Sequence, residues 1–399
     1  MSRSFPVPTT PAMKISVLGA GAIGSAVAYD LCRRDAVARV QVCEARPATL
    51  RSYRAAHAHP KLRTYQTDAR DTATLEPIVA GSACIVSCVG PEHSARLARF
   101  ALDLGAHFVD LGGRGMDAES AEGLSELAER RQHWAVTGVG LAPGLVNLLV
   151  MRALDGLEAP SAVRVRVGDV PTYPREPFGY RLAHSAEKLL DDYTHPVAVL
   201  RDGVVTSREP LTGLETVEVE GLGTMEAFYA GAGLDALAET LAGRVQHLDA
   251  KTLRYPGHAA QMKFMIDLGL ADTTSLDVRT HLTYRDVLLR RLRKRLGGAY
   301  QDAVVVRVEA EGVRDGVPGT RTFEIVDLFD EASGMSAMQR CTGFPAAAAA
   351  VVLGNREVAG GGLGTAENVL PVGRVLGMLA ENGIEIADRW RPALQAHVA

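Results

Sequence analysis

The sequence is poor in cysteine, in aromatic residues, in net charge and in long apolar runs. Five cysteines (Cys32, Cys43, Cys84, Cys88 and Cys341) occur in 399 residues. With no CxxC pair and no Cys/His cluster at metal-ligand spacing, they exclude a disulfide framework, and no metal is expected. Cys84 and Cys88 lie in a strand-like run and read as inert core thiols, which points to a reducing, cytoplasmic setting. Aromatics make up 5% of the chain. None interleaves the basic run Arg290-Arg-Leu-Arg-Lys-Arg295, which therefore reads as a solvated helix face rather than a nucleic-acid surface. Forty-three basic against 47 acidic residues leave a net charge of −4, no global footprint for nucleic acid or membrane. The longest apolar run, Ala346 to Leu353, falls far short of the roughly 20 residues that span a bilayer. Residues 1–12 have no apolar h-region of a secretory signal and are expected to form a flexible leader.

Glycine, by contrast, is abundant, 40 residues in all, so tight turns and close backbone approaches should be common. The length suits two or three domains. From Met13 to about Gly140, short apolar runs alternate with helical stripes. Strands are expected at Lys14–Leu18, Val40–Cys43, Leu62–Tyr65, Ala83–Ser87, His107–Asp110 and Trp134–Thr137. Helices are expected near Ile23–Leu31, Thr72–Val79, Ser94–Leu104 and Glu119–Arg131. This alternation predicts an α/β domain with a doubly wound parallel sheet. Beyond Leu141-Ala-Pro-Gly144 a helix over Leu145–Leu154 leads into an α+β region with an antiparallel sheet. Its hairpins are marked by Arg201-Asp-Gly-Val204 and Arg314-Asp-Gly-Val317. The last stretch returns to helix, with Gly360–Gly364 as a break. The domains expected are thus 13–142, 143–340 and a C-terminal segment, 341–399, that returns to the first.

Gly19-Ala-Gly21-Ala22-Ile23-Gly24 follows a strand and opens a helix, the setting in which GxGxxG binds a dinucleotide. Gly19 makes the turn, Gly21 lets the pyrophosphate approach the backbone, and Gly24 lets helix and strand pack closely. The helix N-terminus offers free N–H groups to the phosphates. Glu44 ends the second strand about 20 residues later, where a carboxylate accepts from the ribose 2′-OH and repels a 2′-phosphate. NAD is therefore the expected cofactor. NADP is the alternative, through Arg46 two residues on. Asp68, past the third strand, is placed near the adenine, with a helix N-cap as its other reading. Ser87, Cys88 and Val89 end the fourth strand, where backbone groups reach the nicotinamide side.

These motifs resemble the saccharopine dehydrogenase-like family, and within it the bacterial lysine 6-dehydrogenase branch. The resemblance rests on the fingerprint, Val109-Asp-Leu111, Gly140-Leu-Ala-Pro-Gly-Leu-Val-Asn147 and Leu189-Leu-Asp-Asp-Tyr-Thr-His-Pro196. Leu200-Arg-Asp-Gly203, Lys251-Thr-Leu-Arg-Tyr-Pro-Gly-His258 and Met338-Gln-Arg-Cys-Thr-Gly-Phe344 complete it. The chain departs from the family pattern at Gly112-Gly-Arg-Gly115, where relatives carry bulkier residues, and at Cys341, where threonine is usual. The resemblance implies a Rossmann domain interrupted by a substrate domain. It also implies NAD-dependent oxidation of the ε-amino carbon of lysine, or of a close amine, to the 6-semialdehyde. A homo-oligomer acting in lysine degradation on a small amino-acid or amine substrate, without nucleic-acid or membrane partners, is expected.

Such chemistry needs a base for the ammonium, a cation for the α-carboxylate and an apolar slot for the methylenes. Asp110, at the end of the fifth strand, can act as base or anchor, or simply cap a helix. Glu226 can hold an ammonium or lie solvated on a strand. His258 can serve as base, as polar orienter or as a structural histidine. Arg181, after Tyr180, is the expected carboxylate clamp, and Arg254 beside Tyr255 is the next candidate. Two other readings remain open: NADPH-dependent reductive C–N coupling of the saccharopine or carboxynorspermidine kind, and a dinucleotide sensor without turnover.

Overall fold

The computed structural model describes residues 13–112, 118–182, 185–231, 234–277 and 281–393. The expected leader, 1–12, and residues 113–115 of the glycine-rich departure lie outside the described residues. The chain divides into two compact units. One holds the residues up to Leu148 together with Gln339–Gly383, the other Leu149–Met338 with the residues from Ile384 on.

The first unit is built on β1 (Met13–Leu18), β2 (Val37–Glu44), β3 (Leu62–Gln66), β4 (Cys84–Ser87), β5 (His107–Asp110) and β6 (Trp134–Thr137). Ile15, Val17 and Leu18 of β1 have no exposed surface, as expected for a strand covered by helices on both faces. Six strands lie in the order β6-β5-β4-β1-β2-β3, every pairing parallel. This is the doubly wound Rossmann arrangement, and its order reverses between β1 and β4, where such sheets bind their ligands.

The helices at Thr72–Val79 and Leu145–Leu154 fall where the sequence puts them. The helix Ala337–Gly354 begins earlier than expected and crosses the first helix, Ala22–Arg33, at Gly343. A Cβ there would stand 2.7 Å from Ala26 Cβ, so glycine permits the approach.

The break in helix expected at Gly360–Gly364 is present, and it carries a strand the sequence did not signal, Gly362–Thr365, parallel to β6 and seventh in the sheet. A Cβ at Gly361 would lie 2.4 Å from Ala128 O and 2.5 Å from His133 N. Here glycine marks a close backbone approach at the start of a strand.

The second unit carries β7 (Glu158–Pro171), β8 (Val197–Arg201), β9 (Val204–Arg208), β10 (Glu215–Val219), β11 (Gly223–Phe228), β12 (His247–Arg254), β13 (Asp302–Arg314) and β14 (Val317–Leu328). With Gly362–Thr365 as β15 and Ala387–Pro392 as β16, its main path runs β10-β11-β12-β7-β13-β14-β16. Both Asp-Gly hairpins form, and Asp202, Gly203, Asp315 and Gly316 all have positive φ, 53°, 78°, 52° and 75°, as a two-residue turn matched to strand twist requires.

The sheet differs from the antiparallel expectation, because β12 lies parallel to β7. The long connection between them, which contains β8 to β11, lets the chain re-enter in the same direction. The last segment also differs from expectation, since β16 pairs with β14 along Gly319–Glu324 and so belongs to the second unit. Among the described residues no helix is long and apolar enough to cross a membrane.

Candidate active site

In the first unit the glycine loop has the shape a dinucleotide needs. Gly19 has φ 102°, and a Cβ on it would press on Cys88 O at 3.0 Å; one on Gly24 would stand 2.0 Å from Gly19 O. Gly21 is different, because its Cβ position has nothing within 4 Å. Its hydrogen atom therefore leaves open the space through which a pyrophosphate reaches the helix N-terminus. Ala22 and Ile23 form the first helical turn, which has no acidic residue and no side-chain cap to occupy its N–H groups. The Cys88 N–H donates to Leu18 O at 2.8 Å, and Ser87, Cys88 and Val89 continue β4 beside the loop. Burial pushes the Cys88 thiol up to about 12, so it is no nucleophile.

Glu44 ends β2 almost wholly buried. Its Oε2 accepts from Ala20 N–H (3.0 Å) and its Oε1 from Arg46 N–H (2.9 Å) and Arg46 Nε (3.1 Å). Burial alone would raise its pKa, but these hydrogen bonds and the guanidinium hold it below the ordinary value. The residues present fit a pyridine dinucleotide, and Gly19, Gly21, Glu44, Asp68, Cys88 and Val89 all line one crevice. Asp68 does not cap the following helix, since Asp71 does so by accepting from Thr74 N–H at 3.3 Å.

Asp110 closes β5 with 1% exposure. Its Oδ1 accepts from Gly138 N–H at 3.2 Å, while Oδ2 is buried without a hydrogen-bond partner. Burial raises its pKa to about 6, opposed by the nearby Ser94 hydroxyl and the amides of Gly138 and Gly112.

The second unit gathers its polar residues around Arg254, at the end of β12, with 6% exposure. Nε donates to Tyr193 Oη (3.3 Å), and Nη1 donates to the carbonyls of Leu253 (2.7 Å) and Asp169 (3.5 Å). The guanidinium lies 4.7 Å from the Tyr180 ring centre. Among the described residues no carboxylate comes within 4.0 Å of it, and Nη2 makes no hydrogen bond. Burial disfavours its charge, but Tyr193, Tyr180 and Asp169 more than offset that. Asp169 is raised to about 6 by burial and by Asp302, with Arg254 and the Tyr300 hydroxyl (3.2 Å) opposing.

His258 is fully buried, its Nε2 2.9 Å from Tyr193 Oη and its Nδ1 3.1 Å from Phe178 O. Burial and Arg254 lower its pKa to about 3, so the imidazole is neutral. The carbonyl can only accept, which assigns the proton to Nδ1 and leaves Nε2 to accept from Tyr193. A chain of donors thus runs Arg254 to Tyr193 to His258 to Phe178 O. Both ring nitrogens are engaged, so His258 is an orienter of Tyr193 and not a base.

Glu226 is neither an ammonium holder nor a solvated strand residue. Its two oxygens accept from Gly257 N–H (2.9 Å) and Ala259 N–H (2.6 Å), capping the helix His258–Asp267 from β11. Glu226→Ala should therefore lower stability by about 2 kcal/mol, measured by urea denaturation, with NAD affinity unchanged. An undiminished urea midpoint would remove the capping role. Arg181 is also diverted. Its Nη1 donates to Arg295 O (3.1 Å) at the C-terminal end of the helix Tyr284–Leu296, a position that complements the helix dipole. Tyr255 donates to Pro171 O at 3.1 Å.

Sequence reasoning missed Tyr193, Asp169 and Tyr300. Tyr193 lies inside a quoted motif, so a signal existed; Asp169 and Tyr300 carry none, being single polar residues near strand ends.

A family model for the saccharopine dehydrogenase NADP binding domain matches residues 15–138, and one for the saccharopine dehydrogenase C-terminal domain matches 140–384. The chain belongs to the saccharopine dehydrogenase family. Among solved structures, apo saccharopine dehydrogenase (L-Glu forming) from Saccharomyces cerevisiae is similar in fold, with TM-score 0.79 and 16% identity over 95% of this chain and 100% of that one. The homospermidine synthase of Legionella pneumophila, solved with NAD, matches with TM-score 0.65 and 13% identity over 95% and 91% of the two chains. The family supports an amine-related oxidoreductase with a dinucleotide-binding domain over residues 15–138.

Proposed function

We propose that the protein oxidises the ε-amino carbon of lysine, or of a close amino acid, with NAD as hydride acceptor. The observation that carries this reading is Arg254. A buried guanidinium with no carboxylate within 4.0 Å among the described residues, and with Nη2 unused, suits the α-carboxylate of an amino acid, which it can grip in a fork. When bound, the dinucleotide supplies the carbon that receives the hydride. The chain supplies the rest. Amides of the glycine loop hold the pyrophosphate, and Glu44 accepts from the ribose hydroxyls. Asp110, alone among the three expected proton-transfer residues in keeping an oxygen without a partner, takes a proton from the ammonium. That proton must leave first, because hydride does not depart readily beside a fixed positive charge; with an ordinary ammonium pKa near about 10.4, a base is needed.

NADH formation should be followed by absorbance across lysine, ornithine, saccharopine and diamines. Lysine should be oxidised fastest, with release of ammonia. Turnover confined to saccharopine, or to NADPH oxidation with an amino acid and an aldehyde, would replace this reading with reductive C–N coupling. The saccharopine dehydrogenase and homospermidine synthase likenesses favour that second reading.

Cofactor choice follows from Glu44. Two backbone amides fix its carboxylate, so it cannot swing away from a 2′-phosphate. NAD should bind at least about tenfold more tightly than NADP, or about 1.4 kcal/mol, and Glu44→Ser should narrow the gap. A wild-type preference for NADP in a fluorescence titration would make Arg46 the reader instead.

A further inference from the structure

Arg254 and Asp169 are neighbours on the second sheet, yet their charges do not meet. β12 and β7 run parallel with Thr252 opposite Val167. Two residues further along each strand, Arg254 and Asp169 therefore share a face of the sheet, and Arg254 Nη1 reaches the Asp169 carbonyl at 3.5 Å. Both residues are buried, Arg254 6% and Asp169 4% exposed. Even so, no oxygen of the Asp169 carboxylate lies within 4.0 Å of the guanidinium.

Opposite charges out of water attract strongly, so a pair that stays open has to be held open. Arg254 is held by the Tyr193 hydroxyl and the Leu253 carbonyl. Asp169 is held by Tyr300, whose hydroxyl donates to Oδ2 at 3.2 Å. Among the described residues its Oδ1 makes no hydrogen bond.

The other carboxylates around this pair are already engaged. Glu226, opposite Arg254 on β11, gives both oxygens to the amides of Gly257 and Ala259. Asp302, which acts on Asp169 electrostatically, gives both of its own to the amides of Ala337 (2.8 Å) and Met338 (2.9 Å). Asp192, close enough to feel the Arg254 charge, is paired with Lys188. Asp169 has neither a cation nor an amide, only a neutral hydroxyl. A buried charge without an opposite partner is costly. Here two stand side by side with opposite signs, and a ligand bearing an anion and a cation on one carbon satisfies both.

We propose that Asp169 accepts the α-ammonium of the amino acid whose α-carboxylate Arg254 grips, and that Tyr300 is the positioning residue that aims the carboxylate. This deepens the amino-acid reading above and rests on it. The second unit then selects for a zwitterionic α-amino-acid head. A carboxylic acid without the α-amino group leaves Asp169 unpaired beside its own negative charge, and an amine without the carboxylate leaves Arg254 unpaired.

The test is a calorimetric titration of the full chain, loaded with NADH, with L-norleucine and with hexanoate. The two ligands share the carboxylate and the chain and differ in the α-amino group; neither has an ε-amine to oxidise. A buffer at about pH 8 keeps Asp169 ionised, since burial raises its pKa only to about 6. Wild type should bind norleucine at least about tenfold more tightly than hexanoate. Asp169→Asn should bring the ratio within about threefold by weakening norleucine. Tyr300→Phe, which keeps the ring and the carboxylate, should narrow the ratio as well while leaving hexanoate affinity as in wild type. A merely structural role for Tyr300 would weaken both ligands alike. If Asp169→Asn does not fold, the wild-type ratio and Tyr300→Phe decide. Equal affinity of wild type for the two ligands, with lysine still oxidised, would overturn the proposal and leave the oxidation reading intact. An unchanged ratio in a folded Asp169→Asn would do the same. A norleucine preference that Asp169→Asn abolishes, in a protein that does not oxidise lysine, would uphold the α-amino-acid site and overturn the oxidation reading. Binding of neither ligand, without oxidation of lysine, would overturn both.

Discussion

Asp110→Asn should make the protein more stable and much less active. Burial pushes the Asp110 carboxyl up from its ordinary 3.8 to about 6 in the folded protein. A carboxyl whose pKa is raised on folding binds its proton more tightly in the folded state, so ionising it opposes folding. The cost is absent below about pH 4, grows between about pH 4 and 6, and is complete above that. A rise of that size corresponds to about 3 kcal/mol at most. Asparagine keeps an oxygen for Gly138 N–H and carries no charge, so the melting temperature should rise at pH 8 and stay close to wild type at pH 4. The gain is reduced by whatever the new buried N–H₂ fails to find. Removing a general base should lower turnover about 100-fold or more. Undiminished turnover would exclude Asp110 from proton transfer, and a melting temperature that responds equally at both pH values would remove the burial argument.

Arg254→Lys should reduce kcat/KM for lysine by about 10- to 100-fold and leave NAD affinity as it is. Hydrogen bonds to charged groups contribute about 1.5–3 kcal/mol, and each 1.4 kcal/mol is tenfold. An ammonium keeps the charge but loses the fork, together with the Nε donor to Tyr193 and the Nη1 donor to Leu253 O. A simple primary amine should be oxidised about equally by wild type and variant, because it has no carboxylate for Arg254 to hold. Arg181→Ala should leave KM for lysine unchanged, since its guanidinium serves a helix end. A parallel loss with lysine and with the primary amine would place the carboxylate elsewhere.

The two halves of this molecule were unequally legible. The glycine loop and Glu44 were readable because each requirement there is local: a turn of positive φ, an open Cβ position, a carboxylate one strand later. Gly360–Gly364 shows the limit of that logic. Glycine signals a backbone need that interrupts the helix, and only the pairing of Gly362–Thr365 with β6 and the approach of Gly361 to Ala128 and His133 show that a strand forms there. Glu226, His258 and Arg181 were credible as chemistry because carboxylate, imidazole and guanidinium are also catalytic groups. Their partners are backbone atoms brought in from other elements, Gly257 and Ala259, Phe178, and Arg295. Nothing in the local sequence marks such a partner.

The sequence by itself determined the parallel sheet, the glycine loop after β1 and both Asp-Gly hairpins, because periodicity and turn chemistry act over a few residues. Tertiary structure alone decided which charged groups are already engaged. It joined β12 to β7 in parallel and carried β16 to the second sheet. Among the described residues, it also enclosed Arg254 with no carboxylate within 4.0 Å and left one oxygen of Asp110 without a hydrogen-bond partner. Burial and hydrogen-bond partners are properties of the packed chain, fixed by residues far apart in sequence, and they separate a structural charge from one available to a substrate.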